Sequence, residues 1–158
     1  MRSTRRHGRP RFWRSVAMRL AVSSGSARSW GPTAAQRAYE PPAAKAADLG
    51  NTQAGDGFRY RGGGLLQITG RYNFRVMGQK IGIPLEDNPD QITLPSIAAE
   101  ASAQFWADHA LSAFADAGDF LSISRAINLG NPRSAAMPNG MPERLLLWDS
   151  CKKALGVA

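Results

Sequence analysis

Apolar residues recur at helical spacing in four stretches of the second half of the chain. In Tyr72–Lys80, Phe74, Met77 and Ile81 fall at i, i+3 and i+7, and Gly82 is the expected stop. From about Ser96 to Leu111, Ile97, Ala101 and Phe105 fall four apart, and Trp106 broadens their face. His109 continues that row and reads as a packed core residue. Asp119 is a good N-cap for a third helix, with Phe120, Ile123 and Ile127 on its buried side and Gly130 after it. A fourth helix opens with Pro142 near its first position and presents Leu147, Trp148, Cys151, Ala154 and Leu155 as an apolar face before Gly156. Turn-rich connectors, Pro84–Pro95 and Asn131–Gly140, separate these stretches. Upstream, Pro32 and Thr33 feed a short helix that Tyr39-Glu40-Pro41-Pro42 stops. Only Leu65–Thr69 alternates, with Gln67 and Thr69 as the polar members, and predicts one short, irregular strand. Periodicity alone gives a mostly α domain.

Charge divides the chain unevenly. Nine of its 20 Lys and Arg lie in residues 1–37, all arginine and with no acid among them; the rest holds 11 bases against 12 acids. The net charge of +8 therefore belongs to the N-terminal quarter. Such a segment reads as a disordered tail, or as translation from a wrong start or frame. The alternative is a basic arm that binds nucleic acid or an anionic surface. Phe12, Trp13 and Trp30 are its only aromatics for stacking. Val16–Val22 is a short apolar stretch broken by Arg19, too short for a secretory core. Cytoplasmic synthesis is the expectation. A single cysteine, Cys151, excludes an internal disulfide framework and reads as a small hydrophobe. The 158 residues suffice for one domain with a core. No apolar run approaches a membrane span, and no metal, nucleotide or flavin motif is present. No cofactor and a monomer are expected.

The chemistry concentrates in one glycine-dense segment. Gly55, Asp56, Gly57, Arg59, Tyr60, Gly62, Gly64, Gln67, Ile68, Thr69, Gly70, Asn73 and Phe74 stand in an order that resembles the signature of family 19 glycoside hydrolases. That family includes chitinases and phage endolysins that cut cell-wall glycans. Upstream, Trp30-Gly-Pro-Thr33, Gln36, Tyr39-Glu40 and Asp48-Leu-Gly-Asn51 resemble its phage-type members, which favours an endolysin. The resemblance runs from Trp30 to about Gly156. It divides the chain into a basic segment, 1–29, outside the family pattern, and a family 19-like domain, 30–158. Gly63 replaces the arginine of the family's Gly-Arg-Gly, a departure expected to loosen the cleft wall.

The resemblance implies an α+β, mostly α, lysozyme-like fold. It also implies inverting hydrolysis of β-1,4-linked N-acetylglucosamine polymers, either chitin or peptidoglycan. Carried over residue by residue, Thr69 holds the attacking water, and Tyr60, Gln67, Tyr72 and Asn73 bind sugar. Asn128, in Ile127-Asn-Leu-Gly130, and Arg144 complete the site; for both, helix capping and a surface charge are equally good readings. Inversion needs two opposed carboxylates. The resemblance places the acid at position 19 and the base at position 28, where the chain has Arg19 and Arg28, and no acid precedes Glu40. Arginine stays protonated and cannot serve either role. Glu40 reads as a loop-bonding residue and Asp56 as a residue that shapes its loop. A truncated, inactive or glycan-binding domain is therefore expected. Phe105, Trp106, Ile123 and Ile127 are expected to be left partly exposed, making the domain marginally stable.

Overall fold

The computed structural model describes residues 31–156. Arg19, Arg28, Trp30 and most of the basic arm lie outside the described residues. Three short helices open the described chain: α1 (Ala34–Arg37), α2 (Ala44–Asp48) and α3 (Asp56–Arg59). Thr33 caps α1 reciprocally, because its hydroxyl accepts from Gln36 N–H while the Gln36 side chain accepts from Thr33 N–H. Then come α4 (Arg71–Ile81), a 3-10 turn (Pro89–Thr93), α5 (Pro95–Asp108), α6 (Leu111–Asp116), α7 (Phe120–Leu129) and α8 (Met141–Leu155).

Two apolar clusters organise these elements. Tyr60, Phe74, Met77, Leu85, Ile92 and Ala101 form the first, with Ile97 and Phe105 against it. Leu111, Ile123 and Ala126 form the second, with Phe105, Trp106, Phe114 and Ile127 packed around them. Phe105 touches both, so α5 joins the two halves. Each large side chain buried this way contributes roughly 1.5–3 kcal/mol. Of the four residues expected to be partly exposed, Ile123 is instead buried, while Phe105, Trp106 and Ile127 are half-buried against the second cluster.

Two glycines permit close approaches. Behind α4 the chain doubles back, with Ile83 N–H donating to Gly78 O at 2.9 Å. A Cβ on Gly78 would sit 2.5 Å from Ile83 O and 3.0 Å from Leu85 N. At Gly63, a Cβ would run into Ile92 Cγ2. Ile92 therefore occupies the space that a side chain at Gly63 would enter.

Three further expectations change. No strand forms among the described residues. Leu65–Thr69 belongs to a tight turn closed by one antiparallel bridge, Gly63 to Ile68. Gln67 takes a left-handed conformation with φ of 55°, which ends the ladder after that single rung. The second predicted helix divides after Asp108. His109 caps it, with Nδ1 2.9 Å from Phe105 O, and Ala110, at φ 50°, turns the chain into α6. On α8 the buried residues are Met141 and Cys151, and Trp148 stacks on Phe120 at 4.8 Å. Leu147 is exposed with Leu145 and Leu146, not part of a buried face.

Candidate functional site

The glycine-dense segment is organised around one ion pair. Asp56, in the first turn of α3, is 2% exposed. Its carboxylate accepts from Thr52 N–H at 2.8 Å, Gln53 N–H at 3.0 Å, Arg71 Nε at 2.9 Å and Arg71 Nη2 at 2.7 Å. Burial is the largest single influence and pushes its pKa up. The Arg71 fork and the two backbone donors together outweigh it, so the carboxyl lies below its ordinary value. Arg71 also reaches Glu86 at 3.4 Å, and Arg75 grips Glu86 at 2.6 and 2.8 Å. The Arg75 hydrogen bonds, more than any other influence, hold Glu86 below its ordinary value.

Tyr60 lies beneath this network. Its ring centroid is 4.8 Å from the Arg71 guanidinium carbon, and its hydroxyl donates to Glu86 O at 3.0 Å. The flanking arginines reach the same loop: Arg59 Nη2 donates to Asp87 O, and Arg61 Nη2 to Asp90 Oδ1. Three consecutive side chains thus strap the 86–90 loop to α3. Tyr60 is 1% exposed and has no free face for a sugar ring. Its place in the cleft is corrected to a core and strap residue.

The clamp fixes the turn that enters α4. Three consecutive amides are tied to earlier chain: Gly70 N–H to Tyr60 O at 2.9 Å, Arg71 N–H to Asn51 Oδ1 at 2.9 Å, and Tyr72 N–H to Leu49 O at 3.1 Å. Asn51 is held in turn by donation to Tyr39 O. On this fixed backbone, Thr69 Oγ donates to Gln67 O at 2.9 Å, and Asn73 Nδ2 donates to Thr69 O at 2.7 Å. Gln67 Nε2 donates to Gly64 O. Gln67 and Thr69 converge over Gly62, where a Cβ would lie 2.8 Å from Gln67 Oε1 and 3.2 Å from Thr69 Oγ1. Tyr72, 56% exposed, and Asn73 face solvent at the start of α4. The structure therefore brings Gln67, Thr69 and Asn73 together on one turn, with Tyr72 beside them.

Asn128 and Arg144 meet elsewhere, at Asn139. Asn128 Oδ1 accepts from Asn139 N–H at 2.8 Å, and Arg144 Nε donates to Asn139 O at 3.0 Å. Together they anchor the loop before α8. Glu40 accepts from Gly55 N–H at 2.8 Å and so braces the start of the glycine-dense segment. Sequence reasoning found Asp56 but missed Arg71 and Glu86. The available signal was a buried-type aspartate between glycines with no cation yet assigned to it.

Among the described residues no group of three His, Cys, Asp or Glu is placed to hold a metal ion. No described helix is long and apolar enough to cross a membrane. No family model matches the chain. It is similar to an endochitinase of Arabidopsis thaliana, 32% identical over 103 residues, which is 64% of this chain. The aligned part is 35% of that protein, so the chain spans about a third of the length of the relative it matches.

Proposed function

We propose that residues 30–158 form a chitinase-like glycan-binding domain for β-1,4-linked N-acetylglucosamine polymers, of the family 19 glycoside hydrolase type. The observation that carries this reading is the 32% identity to an endochitinase over 103 residues. The geometry adds a ligand surface of suitable chemistry. Tyr72 offers an exposed ring, on which the apolar face of a sugar can stack. Asn73 and Thr69 offer amide and hydroxyl groups for sugar hydroxyls and acetamides, and Gln67 lies beside them with its amide turned inward onto Gly64 O. The Asp56–Arg71 clamp holds these groups in one arrangement, which lowers the ordering cost of binding. Thr69 keeps lone pairs free and would hold a water. It cannot take that water's proton, so hydrolysis needs two carboxylates besides. With arginines at positions 19 and 28, the chain binds glycan and turns it over slowly or not at all.

Chitin and peptidoglycan share N-acetylglucosamine, and the phage-type residues near the start of the domain favour peptidoglycan. Titration with chitin oligomers and with peptidoglycan glycan strands stripped of their peptides, followed by amide NMR shifts, tests the reading. Shifts centred on residues 58–74 are expected, and Tyr72→Ala with Asn73→Ala should abolish them. Shifts confined to residues outside that segment would sink the assignment.

A further inference from the structure

Asn139 joins Asn128 and Arg144, which lie away from the glycine-dense turn, and it is also the only asparagine of this chain followed by glycine. Asparagine side chains are thermolabile. The reaction is attack by the next residue's amide nitrogen on the side-chain carbonyl, so its local requirements can be read from the structure. At Asn139 three of them are seen: exposure, an unengaged side chain and an unshielded nitrogen on the next residue. Asn139 is exposed, and its side chain makes no hydrogen bond among the described residues. The Gly140 N–H likewise donates to no described group. Gly140 has no Cβ to shield its nitrogen, and its φ of 66° lies in the left-handed region.

Every other asparagine lacks at least one requirement. Asn88 and Asn131 precede proline, whose nitrogen carries no hydrogen. Asn51 is buried with both side-chain atoms bonded, and the next amide, Thr52 N–H, donates to Asp56. Asn73 and Asn128 lie inside α4 and α7, with side chains bonded to Thr69 O and Asn139 N–H.

We propose that Asn139 is a site of spontaneous deamidation that lengthens the link between its anchor and α8. Gly140 N forms a bond to Asn139 Cγ. The bond from Cγ to the side-chain nitrogen breaks, and ammonia leaves carrying the proton from Gly140. Water then opens the cyclic imide at either carbonyl, giving aspartate or isoaspartate with no change of oxidation state. The isoaspartate route inserts one methylene into the main chain between Asn139 Cα and Gly140 N, while the carbonyl that Arg144 holds becomes a free carboxylate on the same Cα. The link between the anchored residue and the start of α8 is thereby one bond longer. The two bonds also restrain the unmodified residue, so weakening either should speed the reaction. Any effect on glycan binding rests on the function proposed above; the modification itself does not.

The test is peptide mapping by mass spectrometry of the intact chain held for days in warm, mildly alkaline buffer, with isoaspartate counted by enzymatic methyl labelling. Circular dichroism confirms that the chain stays folded. At least about tenfold more product is expected at residue 139 than at any other asparagine, equivalent to about 1.4 kcal/mol in activation free energy. Asn128→Ala and Arg144→Ala should each raise the rate at 139 several-fold, and Asn139→Ser should remove the labelled product. Reaction at 139 no faster than at Asn73 or Asn128, or rates unmoved by both anchor variants, overturns the proposal.

Discussion

Replacing Asp56 by asparagine tests the clamp at its most buried point. The carboxylate receives four hydrogen bonds, two of them from the Arg71 fork. An asparagine amide keeps one oxygen but turns an NH2 toward groups that can only donate. Removing one partner of a buried pair costs about 3–5 kcal/mol when the other is stranded. Here Arg71 retains Glu86 at 3.4 Å, which places the loss near the lower figure, about 3 kcal/mol. Against a total of about 5–15 kcal/mol this is a large share, and it corresponds to a fall in Tm of roughly 10 °C. The assay is thermal and urea unfolding followed by circular dichroism. Acid provides a second readout. The folded-state pKa of Asp56 is depressed from 3.8, so its contribution is complete above the ordinary aspartate range and is lost as pH falls through the folded value. The variant should therefore show a shallower acid limb than the parent, with the difference between them closing at low pH. A loss under about 1 kcal/mol at neutral pH, or an unchanged acid limb, would refute this account.

Three other outcomes are expected. Gly63→Arg, which restores the residue of the family pattern, should destabilise by about 1–3 kcal/mol through the collision with Ile92; adding Ile92→Ala should recover part of that, as measured by urea midpoints. Asp119→Ala removes a cap that accepts from Ser122 N–H at 2.9 Å and from the Ser122 hydroxyl at 2.6 Å, and should cost about 1 kcal/mol in the same assay. The chain as given should release no product from a soluble chitin oligomer at a rate near that of an intact chitinase. Robust turnover abolished by Glu40→Gln would make Glu40 a catalyst and defeat that expectation.

Local signals carried much of the helical fold. Asp119 starts α7 and Gly82 ends α4, as their chemistry predicts, and Pro142 sits in the first turn of α8. Each of these is decided within a few residues. The break between α5 and α6 was not legible, because Asp108-His109-Ala110 contains no helix breaker. It is set by how Leu111 must turn to pack against Ile123 and Ala126. The strand misread at Leu65–Thr69 has a related cause: alternation over five residues cannot reveal that Gln67 adopts a positive φ. Gln67, Thr69, Tyr72 and Asn73 lie together on one turn, a proximity already present in their order along the chain. Tyr60 was carried over with its motif, and the order of residues could not show that it and its flanking arginines reach into a loop 26 to 29 positions away.

That three-residue strap, Arg59-Tyr60-Arg61, has a kinetic consequence. It joins segments separated in sequence by 26 to 29 positions, and Gly70 N–H is bonded to the carbonyl of its central residue. The strap cannot fray from an end, because neither segment is terminal. In hydrogen–deuterium exchange the amides of Gly70, Arg71 and Tyr72 should therefore open only with the whole domain. Amides along α8, which carries three exposed leucines and few buried side chains, should exchange through smaller local openings. Two regions of the domain would then differ in lifetime: a slow-exchanging turn before α4, and a quickly opening anchor around Asn139.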